Sequence, residues 1–218
     1  MHNAAVSRIG ILGDIHAEDE ALLAALRHFE RDPVDTILAV GDIVDGKGSV
    51  DACCAALRAA GAIVVRGNHE RWFLHGDMRS LPDSTNAADI STSTREFLAT
   101  LPVTHRLATV RGDLLLCHGM GEDDMCTVRP DDFGYAIEVN DALQALVRAG
   151  DVNLVVSGHS HRRMVRRVGS LTLVNAGTLF REHAPCFGTI DLCAGVVTFF
   201  ERRGEAVVTA EVVDLPRR

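Results

Sequence analysis

The chain has 218 residues, 47% of them hydrophobic and 24% charged, a balance that excludes general disorder and supports one α/β domain over residues 1–218. Its net charge of −8 argues against broad electrostatic capture of nucleic acid or of an anionic membrane surface. No apolar run approaches the roughly 20 residues that span a bilayer, and the opening run Met1–Arg8 lacks the apolar stretch of a secretory signal.

Arg8–Gly13 reads as a short buried strand. A helix follows near residues 18–30, with Leu22, Leu26 and Phe29 on one face. Glu18, Asp19 and Glu20 open it, where the helix dipole favours acids. Pro33 breaks this pattern, and Thr36–Val40 gives a second strand. Ser49 caps a predicted helix that turns Val50, Cys53, Cys54, Leu57 and Ala60 inward and ends at Gly61. Ala62–Val65 is the third strand, and the alternation predicts a parallel sheet with right-handed crossovers. Residues 75–94 read as a polar loop or small insert, followed by a short helix at Arg95–Ala99. Two strands flank Arg111-Gly112 as a hairpin. One helix is expected over Tyr135–Ala149, stopped by Gly150, and then a buried strand at Val152–Val156. From Met164 to Val213 the pattern is almost all strand. Six cysteines with no paired CxxC spacing read as reduced, mostly buried thiols of a cytoplasmic protein.

Polar residues collect where strands end. The first strand runs into Gly13-Asp14-Ile15-His16, the second into Gly41-Asp42-Ile43-Val44-Asp45, the third into Gly67-Asn68-His69-Glu70. Later strands run into Cys117-His118-Gly119 and Gly158-His159-Ser160-His161. Each fragment alone is ordinary turn chemistry. Together they point to one spot, because ligand sites of open α/β sheets form at the carboxyl ends of strands. Asp14, His16, Asp42, Asn68, His118, His159 and His161 offer nitrogen and oxygen donors without a thiolate. That set selects borderline divalent ions over copper(I) or iron–sulfur chemistry. Seven donors suit two ions about 3.5–4 Å apart, sharing a carboxylate and clamping a phosphate around a bridging hydroxide.

In order and in type, the five motifs resemble those of the calcineurin-like metallophosphoesterases, closest to the small bacterial and archaeal phosphodiesterase-like group. Gly41-Asp42-Ile43-Val44, Val65-Arg66-Gly67-Asn68-His69 and Asn175-Ala176-Gly177-Thr178 carry the resemblance, which covers residues 9–177. It implies a four-layer αββα sandwich with two mixed β-sheets and a dimetal site at the carboxyl ends of strands. The strand-rich C-terminal half is expected to provide the second sheet. One ion would be held by Asp14, His16, Asp42 and His161, the other by Asp42, Asn68, His118 and His159. Mn²⁺ is the expected cofactor, with Fe, Zn, Ni or Co as alternatives. His69 would sit over the substrate as leaving-group acid or oxyanion stabiliser, oriented by Asp45. The implied activity is hydrolysis of a small or nucleotide-type phosphoester, most consistent with a phosphodiesterase.

One departure bears on the substrate. The protein Ser/Thr phosphatases of this superfamily carry Asp-Arg-Gly where this chain has Asp45-Gly46-Lys47. The missing arginine disfavours a phosphoprotein phosphatase or a dinucleoside-polyphosphate hydrolase. A non-catalytic scaffold, like the retromer subunit that keeps this fold without its ligands, is disfavoured by the full donor set. Arg66 and Arg71, the cluster Arg162, Arg163, Arg166 and Arg167, and His2, His28, His75, His105 and His183 are expected in surface or packing roles. Oligomeric state is not legible.

Overall fold

The computed structural model describes residues 5–216. The expectations about the residues before Ala5, His2 included, fall outside that range. Strands β1 (Arg8–Leu12), β2 (Thr36–Ala39) and β3 (Ile63–Val64) pair in parallel through helices α1 (Asp19–Arg31) and α2 (Val50–Ala59). Helix α1 buries Leu22, Leu26 and Phe29, and the Ser49 side chain accepts the Ala52 N–H at the start of α2. Helix α3 (Asn68–His75) then leaves β3 directly, and α4 (Thr92–Thr100) starts three residues earlier than its apolar pattern suggests because Ser91 caps it.

Strands β4 (Thr104–Thr109) and β5 (Gly112–Cys117) form the expected hairpin, turning at Val110-Arg111. The single helix expected over 135–149 is two: α5 (Tyr135–Glu138) and α6 (Asp141–Ala149). Asn140 separates them, its side chain accepting the Leu143 N–H as a cap. The remaining elements are β6 (Leu154–Ser157), β7 (Met164–Val168), β8 (Leu171–Asn175), β9 (Phe187–Asp191), β10 (Val196–Arg203) and β11 (Ala206–Asp214).

The strands make two mixed sheets, ordered β11-β10-β9-β1-β2-β3 and β4-β5-β6-β8-β7. This corrects the expected division of the chain. The second sheet is built from the middle, residues 104–175, while the last three strands return to the first sheet, β9 lying antiparallel to β1. Apolar alternation tells a strand which face to bury but not which neighbour to choose.

Three apolar clusters separate four layers. The first packs α1, α2 and α4 on Leu12, Ala39, Phe187 and Phe200 of the first sheet. The second lies between the sheets, with Ile9, Ile11, Leu38, Val197 and Phe199 meeting Leu114, Leu116, Val156 and Val174. The third places Leu115, Val155, Leu171 and Leu173 against Leu143 of α6. Successive strand residues alternate between clusters, Leu114 and Leu116 facing one core and Leu115 the other, as period-two geometry requires.

At one edge the sheets are tied together. Gly177 and Thr178, on the link from β8 to β9, cross over Gly13-Asp14. The Thr178 hydroxyl and the Leu179 N–H both donate to the Asp14 carbonyl at 2.8 Å. A Cβ on Gly13 would lie 2.0 Å from the Gly177 carbonyl oxygen, so this approach requires glycine. Among the described residues no helix is long and apolar enough to cross a membrane.

Phe199 is fully buried between the sheets. Phe199→Ala is expected to cost about 3–5 kcal/mol, read as a lowered midpoint in urea unfolding.

Candidate metal centre

The carboxyl ends of β1, β2, β3, β5 and β6 deliver all seven expected donors to the tied edge. Asp14 and His16 follow β1, Asp42 follows β2, Asn68 opens α3 after β3, His118 follows β5, and His159 and His161 follow β6. The Asp and His donors fall into two groups that share Asp42, namely Asp14, His16, Asp42 and His161, and Asp42, His118 and His159. Within each group the ligand atoms lie within 4.8 Å of one another. Asn68 belongs with the second group, its Oδ1 lying 2.9 Å from both His118 Nε2 and His159 Nδ1. In the first, the Nε2 atoms of His16 and His161 approach to 3.1 Å.

Holding so many donors at one point strains the backbone. Of the nine non-glycine residues with positive φ among those described, five are His16, Asp42, Asp45, His159 and His161. Such left-handed positions persist only where surrounding contacts over-determine them. Glu70 supplies much of that constraint. Its buried carboxylate accepts the backbone N–H groups of Asp42, Ile43, Val44 and Gly67 at 2.6–3.1 Å, pinning the loop after β2 to the start of α3. Asp42 Oδ1 in turn accepts the His69 N–H at 2.9 Å, so this carboxylate caps α3 and lies at its positive end. Gly67 cannot be larger, since a Cβ there would sit 2.1 Å from Asp42 Oδ1. On the other sheet, Asn175 Nδ2 donates to the Gly158 carbonyl at 2.6 Å and holds the loop that carries His159 and His161.

Two histidine rings are oriented through their outer nitrogens. His118 Nδ1 faces the Val40 carbonyl at 2.8 Å and His16 Nδ1 faces that of Asp45 at 3.0 Å, so each N–H is used there and each Nε2 points into the cluster. Burial, then the neighbouring His16, pushes His161 down to about 3, keeping its lone pair free. Burial likewise lowers His16 and His159. It also raises Asp14. Burial alone would disfavour the charged forms of Asp42 and His118, but their mutual attraction wins, lowering the acid and raising the base. Asp14 Oδ2 is buried and has no hydrogen-bond partner. An orphaned carboxylate oxygen grouped with the imidazoles of His16 and His161, which burial keeps neutral, is what a divalent cation would satisfy, so the donors fit a metal.

His69 stands beside this cluster rather than in it. Its Nδ1 lies 2.7 Å from Asp45 Oδ2, and its side chain retains 18% exposure. Burial opposes the imidazolium, but the Asp45 hydrogen bond and Asp42 outweigh it and raise the His69 pKa. Asp45 is held down at about 2 despite burial, by His69, Arg79 and the Thr85 N–H. The arginines near the motifs are engaged elsewhere, Arg71 with both oxygens of Asp124, Arg162 with Asp131, and Arg163 with Glu201 and Glu211. Burial raises the Cys117 thiol to about 12, consistent with packing.

The sequence model of the calcineurin-like phosphoesterase superfamily domain matches residues 8–195. The chain belongs to that superfamily. Among solved structures it is similar to a metallophosphoesterase from Sphaerobacter thermophilus, at 21% identity and TM-score 0.66 over 89% of this chain and 87% of that one. An archaeal phosphodiesterase aligns at 14% identity and TM-score 0.55 over 93% and 99%. Vps29 from Chaetomium thermophilum aligns at 18% identity and TM-score 0.58 over 97% and 100%. At these identities the structural likenesses speak for the fold. No curated protein sequence matches.

Superfamily motifs led to the donors and to the His69–Asp45 pair, but not to Glu70 or Arg79. Glu70 sits inside a recognised motif, and its spacing three residues after Gly67 is that of a helix-capping acid, a signal that was available. Arg79 carried no signal, being 34 residues from its partner Asp45. Both oxygens of Glu70 accept from N–H groups, so Glu70→Gln would turn an NH₂ toward donors. A loss of about 3 kcal/mol is expected, measured by chemical unfolding, together with weaker Mn²⁺ binding by titration calorimetry because Asp42 loses its anchor.

Proposed function

We propose that this chain is a two-metal phosphoesterase that favours a monoanionic diester of small-molecule or nucleotide type. The observation that carries the reading is the division of buried and half-buried donors into two groups sharing one carboxylate, Asp42, with a carboxylate-supported histidine beside them. Asp14, His16, Asp42 and His161 would hold one ion, and Asp42, Asn68, His118 and His159 the other. Divalent ions bound there supply an activated water nucleophile and neutralise charge on the phosphate oxygens. Donors of this kind accept Mn²⁺, our first choice, and also Fe, Zn, Ni or Co.

The protein's own contribution centres on His69. As the bond from phosphorus to the leaving oxygen breaks, negative charge builds on that oxygen, and a proton delivered from His69 Nε2 neutralises it. Asp45 holds Nδ1–H and favours the protonated ring. The diester preference rests on charge. Arg71 is committed to Asp124, and the phosphatase arginine is replaced by Gly46. A dianionic monoester therefore finds less compensation than a monoanionic diester. Likeness to Vps29 supports a shared fold, while the complete donor set favours a metal-using enzyme over a scaffold.

Purified protein is expected to carry up to two transition ions per chain by elemental analysis, to lose activity on chelation, and to regain it with Mn²⁺. Asp42→Ala should deplete both ions. Bis-p-nitrophenyl phosphate should be hydrolysed at least as fast as p-nitrophenyl phosphate. Full activity without metal would overturn the reading, and strong monoester preference would replace the diesterase by a phosphatase.

A further inference from the structure

The Asp45 carboxylate is only 2% exposed, and its contacts define a plane as well as a position. Oδ1 accepts from Arg79 Nη1 at 2.8 Å and from the Thr85 N–H at 2.8 Å. Oδ2 accepts from Arg79 Nη2 at 2.9 Å and faces His69 Nδ1 at 2.7 Å. The Asp45 N–H donates to Thr85 Oγ1 at 2.8 Å. A guanidinium fork fixes the orientation of a carboxylate, which a point charge does not.

Arg79 is itself held in place. Its Nε donates to the Asp77 carbonyl at 2.7 Å, and its carbonyl accepts the Ser84 hydroxyl at 2.9 Å. The guanidinium carbon lies 5.9 Å from the Phe73 ring centroid, a favourable cation–π placement. Asp77 and Ser84 belong to the turn-rich segment 76–91 between α3 and α4, and Phe73 belongs to α3 itself. The segment folds back on the loop after β2, where the sequence suggests only a polar insert.

We propose that Arg79 is a positioning residue for the proton donor, locking the Asp45 carboxylate in the plane that aims His69 and making segment 76–91 part of the catalytic apparatus. The proposal rests on the reading of His69 as donor to the leaving oxygen. In that step the proton moves from His69 Nε2 to the departing oxygen as the phosphorus–oxygen bond breaks, and Nδ1–H stays on Asp45. A carboxylate free to rotate no longer fixes Nδ1–H, and Nε2 loses its aim. Only leaving groups that need the proton are slowed. Arg79 donates to Asp45, Asp77 and Thr85 and to none of the proposed metal donors.

The test compares wild type, Arg79→Ala, Arg79→Lys, His69→Ala and the Arg79→Ala/His69→Ala double variant, as Mn²⁺-loaded protein with metal measured on each sample. Rates are read against leaving-group pKa for phosphodiesters from nitrophenyl to alkyl. A well-placed general acid is worth about 10²–10⁴-fold, and loss of its aim should forfeit about 10–100-fold of that. We expect Arg79→Ala to slow alkyl esters by that factor through kcat, with nitrophenyl esters, KM and metal content little changed. Arg79→Lys keeps the charge without the fork and should fall between, which also serves if the alanine variant does not fold. The double variant should match His69→Ala, because Arg79 acts through His69. A steep profile for His69→Ala beside a flat one for both Arg79 variants, or additive losses in the double variant, overturns the positioning role alone. A flat profile for His69→Ala overturns the reading of His69 and the proposal with it.

Discussion

Two buried carboxylates meet at the amino end of α3, and the rest of the site depends on how they are satisfied. Asp42 accepts the His69 N–H, and Glu70 accepts those of Asp42, Ile43, Val44 and Gly67. An unpaired carboxylate in the interior costs several kcal/mol. Here the cost is offset by converging backbone donors and by the helix terminus. The same contacts force Asp42 into a left-handed conformation and exclude any side chain at Gly67. Electrostatic satisfaction, backbone strain and glycine placement are thus one constraint seen three ways. It leaves Asp42 Oδ2 directed at both groups of donors, 3.3 Å from His118 Nε2 and 4.0 Å from His16 Nε2.

The donors were legible because a strand that ends in a polar turn leaves a local mark, glycine followed by Asp, Asn or His. The first three strands were legible for a similar reason, since each carries its apolar run and its stop signal. Helix α3 was not, because its buried residues are Asn68, Glu70 and Phe73, a face that is mostly polar and shows no apolar stripe. It is held by hydrogen bonds to a loop that precedes it by more than twenty residues, as in the Glu70 contact to Asp42. The return of β9 to β1 was illegible on different grounds. Strand partners are selected by the whole packing arrangement, and nothing local to Phe187–Asp191 distinguishes one sheet from the other. Arg79 combines both difficulties, lying in a segment without periodicity and acting across the fold.

The link from β8 to β9 clarifies why the two halves of the site stay in register. Asn175 anchors the His159–His161 loop, and two residues later Gly177 packs on Gly13, immediately before Asp14. Asp14 Oδ1 then accepts the His159 N–H at 3.0 Å, closing a circuit from one sheet to the other. Donors from separate sheets are therefore tied through short backbone contacts as well as through the apolar core between the sheets. A displacement of one sheet against the other would have to break hydrogen bonds at this edge before it could separate His161 from His16.

Charge poses the remaining problem, since an acidic chain must receive an anionic substrate. The net charge of −8 repels phosphate at long range, but at physiological ionic strength that repulsion is screened beyond about 8 Å. Affinity is then decided by what lies inside that radius. Without metal, Asp14, Asp42 and Asp45 are answered chiefly by His118, His69 and Arg79, each already committed to a carboxylate, while Glu70 is held by backbone N–H groups. Little positive charge is left over for a ligand. Two dications would reverse the local sign without altering the exterior. On the proposed reading, an acidic exterior with a metal-loaded centre would also select among substrates, favouring those whose charge is compact and sits at the phosphorus. Extended polyanions such as nucleic acid would gain the same local attraction but meet repulsion along the rest of their length.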